Sequence, residues 1–127
     1  MENKLIPMTA KELRLSLKKQ WFEMTKAGIK TEDYRELNEY WFKRLASSDY
    51  RQYWDLEMFI KYANTHPYNC YKHFSQNTMT LGYPKSGDKE RTLKLEHLGI
   101  EIRTGKPEWG AEPGKLYFVI KHGKIIE

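Results

Sequence analysis

Between residues 12 and 18 the chain alternates, with Leu13, Leu15 and Leu17 set between Glu12, Arg14, Ser16 and Lys18. A period of two marks a strand with one buried face. From residue 19 the period changes. In KQWFEMTKAG (19–28), Trp21, Phe22 and Thr25 recur at helical spacing, and Gly28 supplies the left-handed residue that stops a helix. The TEDYR run that follows reads as extended or turn. A second helix is predicted over 38–48, NEYWFKRLASS. Asn38 is its N-cap, Glu39 lies in its first turn, and Lys43 and Arg44 sit near the negative end of its dipole. A third, WDLEMFIKYANTH, is centred on Leu56, Phe59, Ile60 and Ala63, and Pro67 ends it.

Past residue 76 strands take over. NTMTLGY (77–83) is a short strand and PKSGDKER (84–91) a turn or exposed loop. TLKLEHLGIEIRTG (92–105) alternates Leu93 and Leu95, then Ile100 and Ile102, so Gly99 offers a bulge between the halves. KPEWGAEPG (106–114) is a loop. Leu116–Ile120 is a nearly continuous apolar run, as in a strand buried on both sides. The first strand must pair with the later ones to cover its edge. A small, mainly antiparallel sheet or β-barrel with helices packed over one opening meets that need, which makes the fold class α+β. No repeat, low-complexity stretch or linker interrupts the chain, so one domain over 1–127 is expected.

Composition narrows the class. No run approaches the roughly 18 apolar residues of a membrane span, and the opening MENKLIPMTA has neither the apolar core nor the cleavage site of a leader. No membrane association is expected. A lone cysteine, Cys70, has no internal disulfide partner, which fits a reducing cytoplasm. Nine Tyr, five Phe and four Trp supply the large buried areas that a charged fraction of 31% would otherwise leave short. The net charge of +5 is spread along the chain. Residues 1–50 carry ten Lys and Arg against eight Asp and Glu, and residues 51–127 twelve against nine. Such a field favours a polyanion only mildly, and a soluble protein that is simply basic has the same charge.

The chemistry concentrates at AGIKTEDYRE (27–36). If residues 31–35 are extended, Thr31, Asp33 and Arg35 point one way, and Lys30, Glu32 and Tyr34 the other. Three polar groups on one face can grip a ligand that offers donors and acceptors. A solvated loop with an Asp33–Arg35 ion pair has the same sequence. In the second helix Tyr40, Trp41, Lys43 and Arg44 interleave aromatic and basic side chains, which can stack a base and hold its phosphate. Trp41 and Leu45 at i and i+4 also read as a buried stripe. Trp109, beside Gly110, suits a stacking platform over a cleft and equally a plug in a barrel end. His66, Cys70 and His73 are soft ligands, but Pro67 interrupts their spacing and no second pair completes a zinc set, so no metal and no cofactor is expected. There is no P-loop, GxGxxG or nucleophile elbow.

LRLSLKKQWFEMTKAGIKTEDYR resembles the opening of the ASCH domain family, a branch of the PUA-like superfamily, in which a strand and short helix lead to a G-x-K-T-x-E-x-R signature. The match is Gly28, Lys30, Thr31 and Arg35, with Asp33 where the family most often has Glu. NEYWFKRL and PEWGAEPGKLYFVIKHGKII are similar to the second helix and the closing loop and strand of short, often phage-encoded members. On this resemblance residues 49–76 are a helical insertion. It implies a PUA-like barrel with a cleft lined by the signature, and RNA or a nucleotide-like ligand as partner. Lys30 and Arg35 then contact phosphate or a base edge, Asp33 bonds the ligand and orients Arg35, and Trp41 or Trp109 stacks, with Thr31 and Arg44 beside them.

Some ASCH proteins are hydrolases. The resemblance carries their lysine to Lys30, but places Asp33 where the acetylcytidine amidohydrolases have a threonine nucleophile. Carboxylate is a poor substitute for a hydroxyl nucleophile, although it can act as a general base on water. Glu96, Glu101 and Glu108 are open candidates for a further carboxylate. Two other readings therefore stand beside a binding domain: a hydrolase of RNA or a modified nucleoside using Lys30 and Asp33, and a phage accessory protein that binds a host protein.

Overall fold

The computed structural model describes residues 10–66, 70–85 and 87–126. Its elements run β1 (Leu13–Leu17), α1 (Lys19–Lys26), β2 (Glu32–Arg35), α2 (Glu39–Leu45), α3 (Ser48–Tyr53), α4 (Leu56–Tyr62), β3 (Asn77–Leu81), β4 (Thr92–Thr104) and β5 (Leu116–Ile125). The strands form a five-stranded sheet of order β1-β3-β4-β5-β2, and the class is α+β. Among the described residues no helix is long and apolar enough to cross a membrane. Pro67 and the opening segment lie outside the described residues. The chain divides into two compact units, one of Met1–Thr31, His73–Leu98 and His122–Glu127, the other of Glu32–Lys72 and Gly99–Lys121.

In the first unit β1 pairs parallel with β3, and β3 pairs antiparallel with β4. The alternation of β1 is read out directly, with Leu13, Leu15 and Leu17 buried beside Met79 of β3 and Leu93 and Leu95 of β4. Helix α1 packs on β3 and buries Phe22 and Thr25. It ends in a Schellman motif. Gly28 N–H bonds the Thr25 carbonyl (3.1 Å) and Ile29 N–H the Met24 carbonyl (3.0 Å), with Gly28 at φ +77°. A Cβ on Gly28 would meet nothing within 4 Å, so its substitution is opposed by backbone conformation alone. Gly28→Ala is expected to lower stability by about 1 kcal/mol, read as a shift in the urea midpoint at unchanged slope.

In the second unit β2 pairs antiparallel with β5. Its centre is aromatic. Phe42 packs at a tilt against Phe59 (5.1 Å between centroids), and Phe59 meets Tyr71 edge-on (5.3 Å) and Phe118 at a tilt (6.3 Å), with both Phe59 and Phe118 fully buried. Asn38 caps α2 as expected, its Oδ1 accepting from Trp41 N–H at 3.0 Å. The buried stripe of α2 is Phe42 and Leu45, whereas Trp41 is only half-buried. In β5 Tyr117–Ile120 are buried, but Leu116 is exposed. Burial in β4 falls on Leu93 and Leu95 and then on Ile100 and Ile102, a change of parity that a single extra residue makes. Gly99 stands between the two sets at φ +116°.

Candidate functional site

The signature residues fall on two different settings. In the first unit, Lys30 leaves the Schellman turn with its N–H on the Met24 carbonyl (3.1 Å), and its own carbonyl meets Nε2 of the buried His122 at 2.9 Å. Thr31 is exposed, and its carbonyl accepts from His122 N–H (3.1 Å). The lysine is only 2% exposed. Its ammonium is therefore not presented at the surface to a ligand arriving from solvent.

In the second unit, β2 sorts its side chains as an extended strand must. Asp33 and Arg35 share one side, where Arg35 Nε donates to Asp33 Oδ2 at 2.5 Å. Asp33 is 5% exposed, so its carboxylate is spent on holding the guanidinium rather than turned to solvent. Arg35 then lies over the Trp41 indole, 5.0 Å from its centroid, and Arg44 lies 5.1 Å from the same ring. Arg44 also donates to the Tyr40 hydroxyl (3.1 Å), and the Tyr40 ring meets Trp41 edge-on at 5.1 Å. Tyr40 is 61% exposed. At the end of α2, Lys72 Nζ reaches the Lys43 carbonyl at 3.0 Å. Helix α2 and strand β2 thus bring together two aromatic rings and two guanidiniums, one of the latter held by a buried carboxylate.

No family model matches the chain, and neither a curated protein nor a solved structure matches it. Guanidinium planes and aromatic rings in alternation can stack nucleobases, and the same guanidiniums can donate to phosphate oxygens.

The other side of β2 builds something the sequence analysis did not identify. Arg103 grips the buried Glu32 with both terminal nitrogens, NH1 to Oε1 at 3.0 Å and NH2 to Oε2, while its Nε bonds Glu101. Lys121, which faces Glu32 in the β2–β5 register, reaches Glu101 at 3.5 Å. Tyr34 donates to Glu32 (2.6 Å) and accepts from Lys106 N–H (2.9 Å). Its ring also fills the space beside Gly105, where a Cβ would fall 2.6 Å from it. Tyr34 therefore fastens the start of the 105–115 loop to β2. That loop holds Trp109 at 9% exposure with the Lys106 ammonium 4.3 Å over its ring, so Trp109 is packed in rather than displayed. The i, i+2 pairs Glu32/Tyr34 and Glu101/Arg103 were visible in the sequence, but which strands would face each other was not.

Burial pushes the Glu32 carboxyl up, but the bonds from Arg103 and Tyr34 outweigh it and hold the group below its ordinary 4.5. The Arg103 bond likewise holds Glu101 low against burial. Groups with depressed folded values stabilise the protein above the unfolded value and lose that contribution as pH falls through the folded one. Acid should therefore destabilise the protein below pH 4.5. In urea titrations at a series of acidic pH values, Glu32→Gln should show a shallower loss than the parent, and identical slopes would refute the linkage.

The remaining candidates are scattered. Glu96 accepts from Lys124 N–H (2.8 Å), and Glu108 is exposed on a short turn. His66 Nδ1 pairs with the Tyr50 hydroxyl at 2.7 Å, Cys70 is buried against the Ala63 carbonyl, and His73 is exposed. Among the described residues no three His, Cys, Asp or Glu side chains group to hold a metal ion.

Proposed function

We propose that this chain is a PUA-like domain of the ASCH type that binds RNA or a nucleotide in the cytoplasm, through the α2–β2 face of its second unit. The carrying observation is the Trp41 indole with Arg35 and Arg44 over it. A packing role alone gives a surface cation–π pair about 0.5–1 kcal/mol. Two guanidiniums on one ring, an exposed Tyr40 alongside and a buried Asp33 holding Arg35 form a more prepared arrangement than that role needs. Arg44 and Arg35 offer donors to phosphate, and Tyr40 and Trp41 offer faces and edges to bases. The hydrolase reading rests on Lys30 and Asp33, and their burial gives it no comparable support.

Anisotropy of a labelled single-stranded RNA tests the proposal. Affinity should fall steeply as salt rises, and Arg44→Ala should weaken binding about tenfold at low salt. Absence of binding by a folded sample at low salt would refute it.

A further inference from the structure

The outer, polar side of the β1-β3-β4 sheet in the first unit is not an ordinary solvated face. The strand registers place Arg14, Thr78 and Lys94 in one row across three strands, and Ser16, Thr80 and Thr92 in the next. Thr78 is fully buried and Thr80 nearly so, although both are polar. The 82–91 segment is pinned to the sheet at both ends. Ser16 and Thr80 hydroxyls donate to the Gly82 carbonyl (3.1 and 2.9 Å), Gly82 N–H bonds the Leu17 carbonyl, and Arg91 holds the Leu81 carbonyl (3.0 Å).

A cleft of about 270 Å³ lies there, lined by Glu12, Arg14, Thr92 and Lys94 of the sheet side and by Lys85, Gly87, Asp88 and Lys89 of the loop. Four cations face two carboxylates, a surplus of two positive charges. One of those carboxylates is already engaged, since Glu12 accepts from Thr78 (2.6 Å), Gln76 (3.2 Å) and Arg14 (2.9 Å). It fixes Arg14 at the rim rather than competing for an anion.

We propose that this cleft binds a phosphate group, either of a phosphorylated small molecule or of a polynucleotide backbone. The surplus charge matches a phosphate monoester dianion. Lysine and arginine ammonium and guanidinium groups with a threonine hydroxyl are the donors such a group needs. The inference does not rest on the Trp41 face, and each can fail without the other.

The test is an amide-shift titration of the full chain with inorganic phosphate, with AMP and with a short single-stranded RNA lacking terminal phosphates, all at low ionic strength. Shifts at Gly87–Lys89 and Thr92–Lys94 are expected. Inorganic phosphate and AMP binding alike identify the phosphate group as the whole determinant, tighter AMP binding indicates a nucleotide, and RNA binding alone indicates the backbone. Lys94→Gln should weaken whichever binds by about tenfold. Lys89→Gln, on the exposed loop where folding is not at stake, should do the same to a lesser degree. No shift in the cleft with any of the three, or shifts that both variants leave unchanged, would overturn the proposal.

Discussion

Trp41→Ala is expected to weaken single-stranded RNA binding by about ten- to a hundredfold, the loss of roughly 1–3 kcal/mol that truncating one base-stacking aromatic causes. The indole meets both Arg35 and Arg44, so its removal takes away a ring and also the surface on which two guanidiniums rest. Thermal stability should fall far less than affinity, because Trp41 is half-buried and lies outside the Phe42–Phe59 contact. Trp41→Phe keeps a π face and should recover part of the binding. Equal losses of affinity in the Ala and Phe variants, or a loss that tracks unfolding, would make the ring a packing element only.

Arg103→Ala carries the largest expected stability loss on the β2 side. It leaves the buried Glu32 without its two-pronged partner and takes the guanidinium from Glu101, which keeps Lys121 at 3.5 Å. Breaking a fully buried pair costs about 3–5 kcal/mol, but the Arg103 side chain is 37% exposed and water screens part of the attraction. About 2 kcal/mol is the discounted figure. Chemical denaturation at neutral pH measures it. Glu32→Gln combined with Arg103→Ala should be less destabilising than the sum of the two changes, because the second removes a partner already lost. Additive effects would mean the two groups do not act on each other.

Both results bear on how far the sequence reaches. Local rules worked wherever one residue type has one physical use. Gly28 is left-handed at the end of α1, Asn38 caps α2, and the leucines of β1 are its buried face. Even the division of β2 into Asp33/Arg35 and Glu32/Tyr34 follows from a period of two. The helix α3 was anticipated only as part of a helical 49–76 insertion and not as an element of its own, because SDYRQY buries no residue and so shows no apolar stripe. Trp41 and Leu45 share the spacing of a core stripe, yet Phe42 takes the core position, since the helix turns that side toward Phe59. Pairing is where sequence reasoning stopped. The β2–β5 and β3–β4 pairs are antiparallel as expected, but β1 lies parallel to β3, and the long stretch of chain between those two strands offers no local pattern that announces it. The Glu32–Arg103 contact depends on the same kind of long-range placement.

Of the site residues themselves, Arg35, Trp41 and Arg44 lie together with Tyr40 beside them, a grouping made by the approach of β2 to α2 and not by any spacing in the chain. Lys30 and Trp109 are buried, because a residue type that can serve a ligand can equally well serve packing.

Binding at the α2–β2 face is tested most directly by an amide-shift titration of the full chain with short single-stranded RNA at low salt. Shifts centred on Asp33–Arg35 and Tyr40–Arg44 are expected, and in Arg44→Ala they should need about tenfold more RNA to reach the same size. A well-folded sample whose α2–β2 amides do not move, whatever the rest of the spectrum does, would contradict binding at this face.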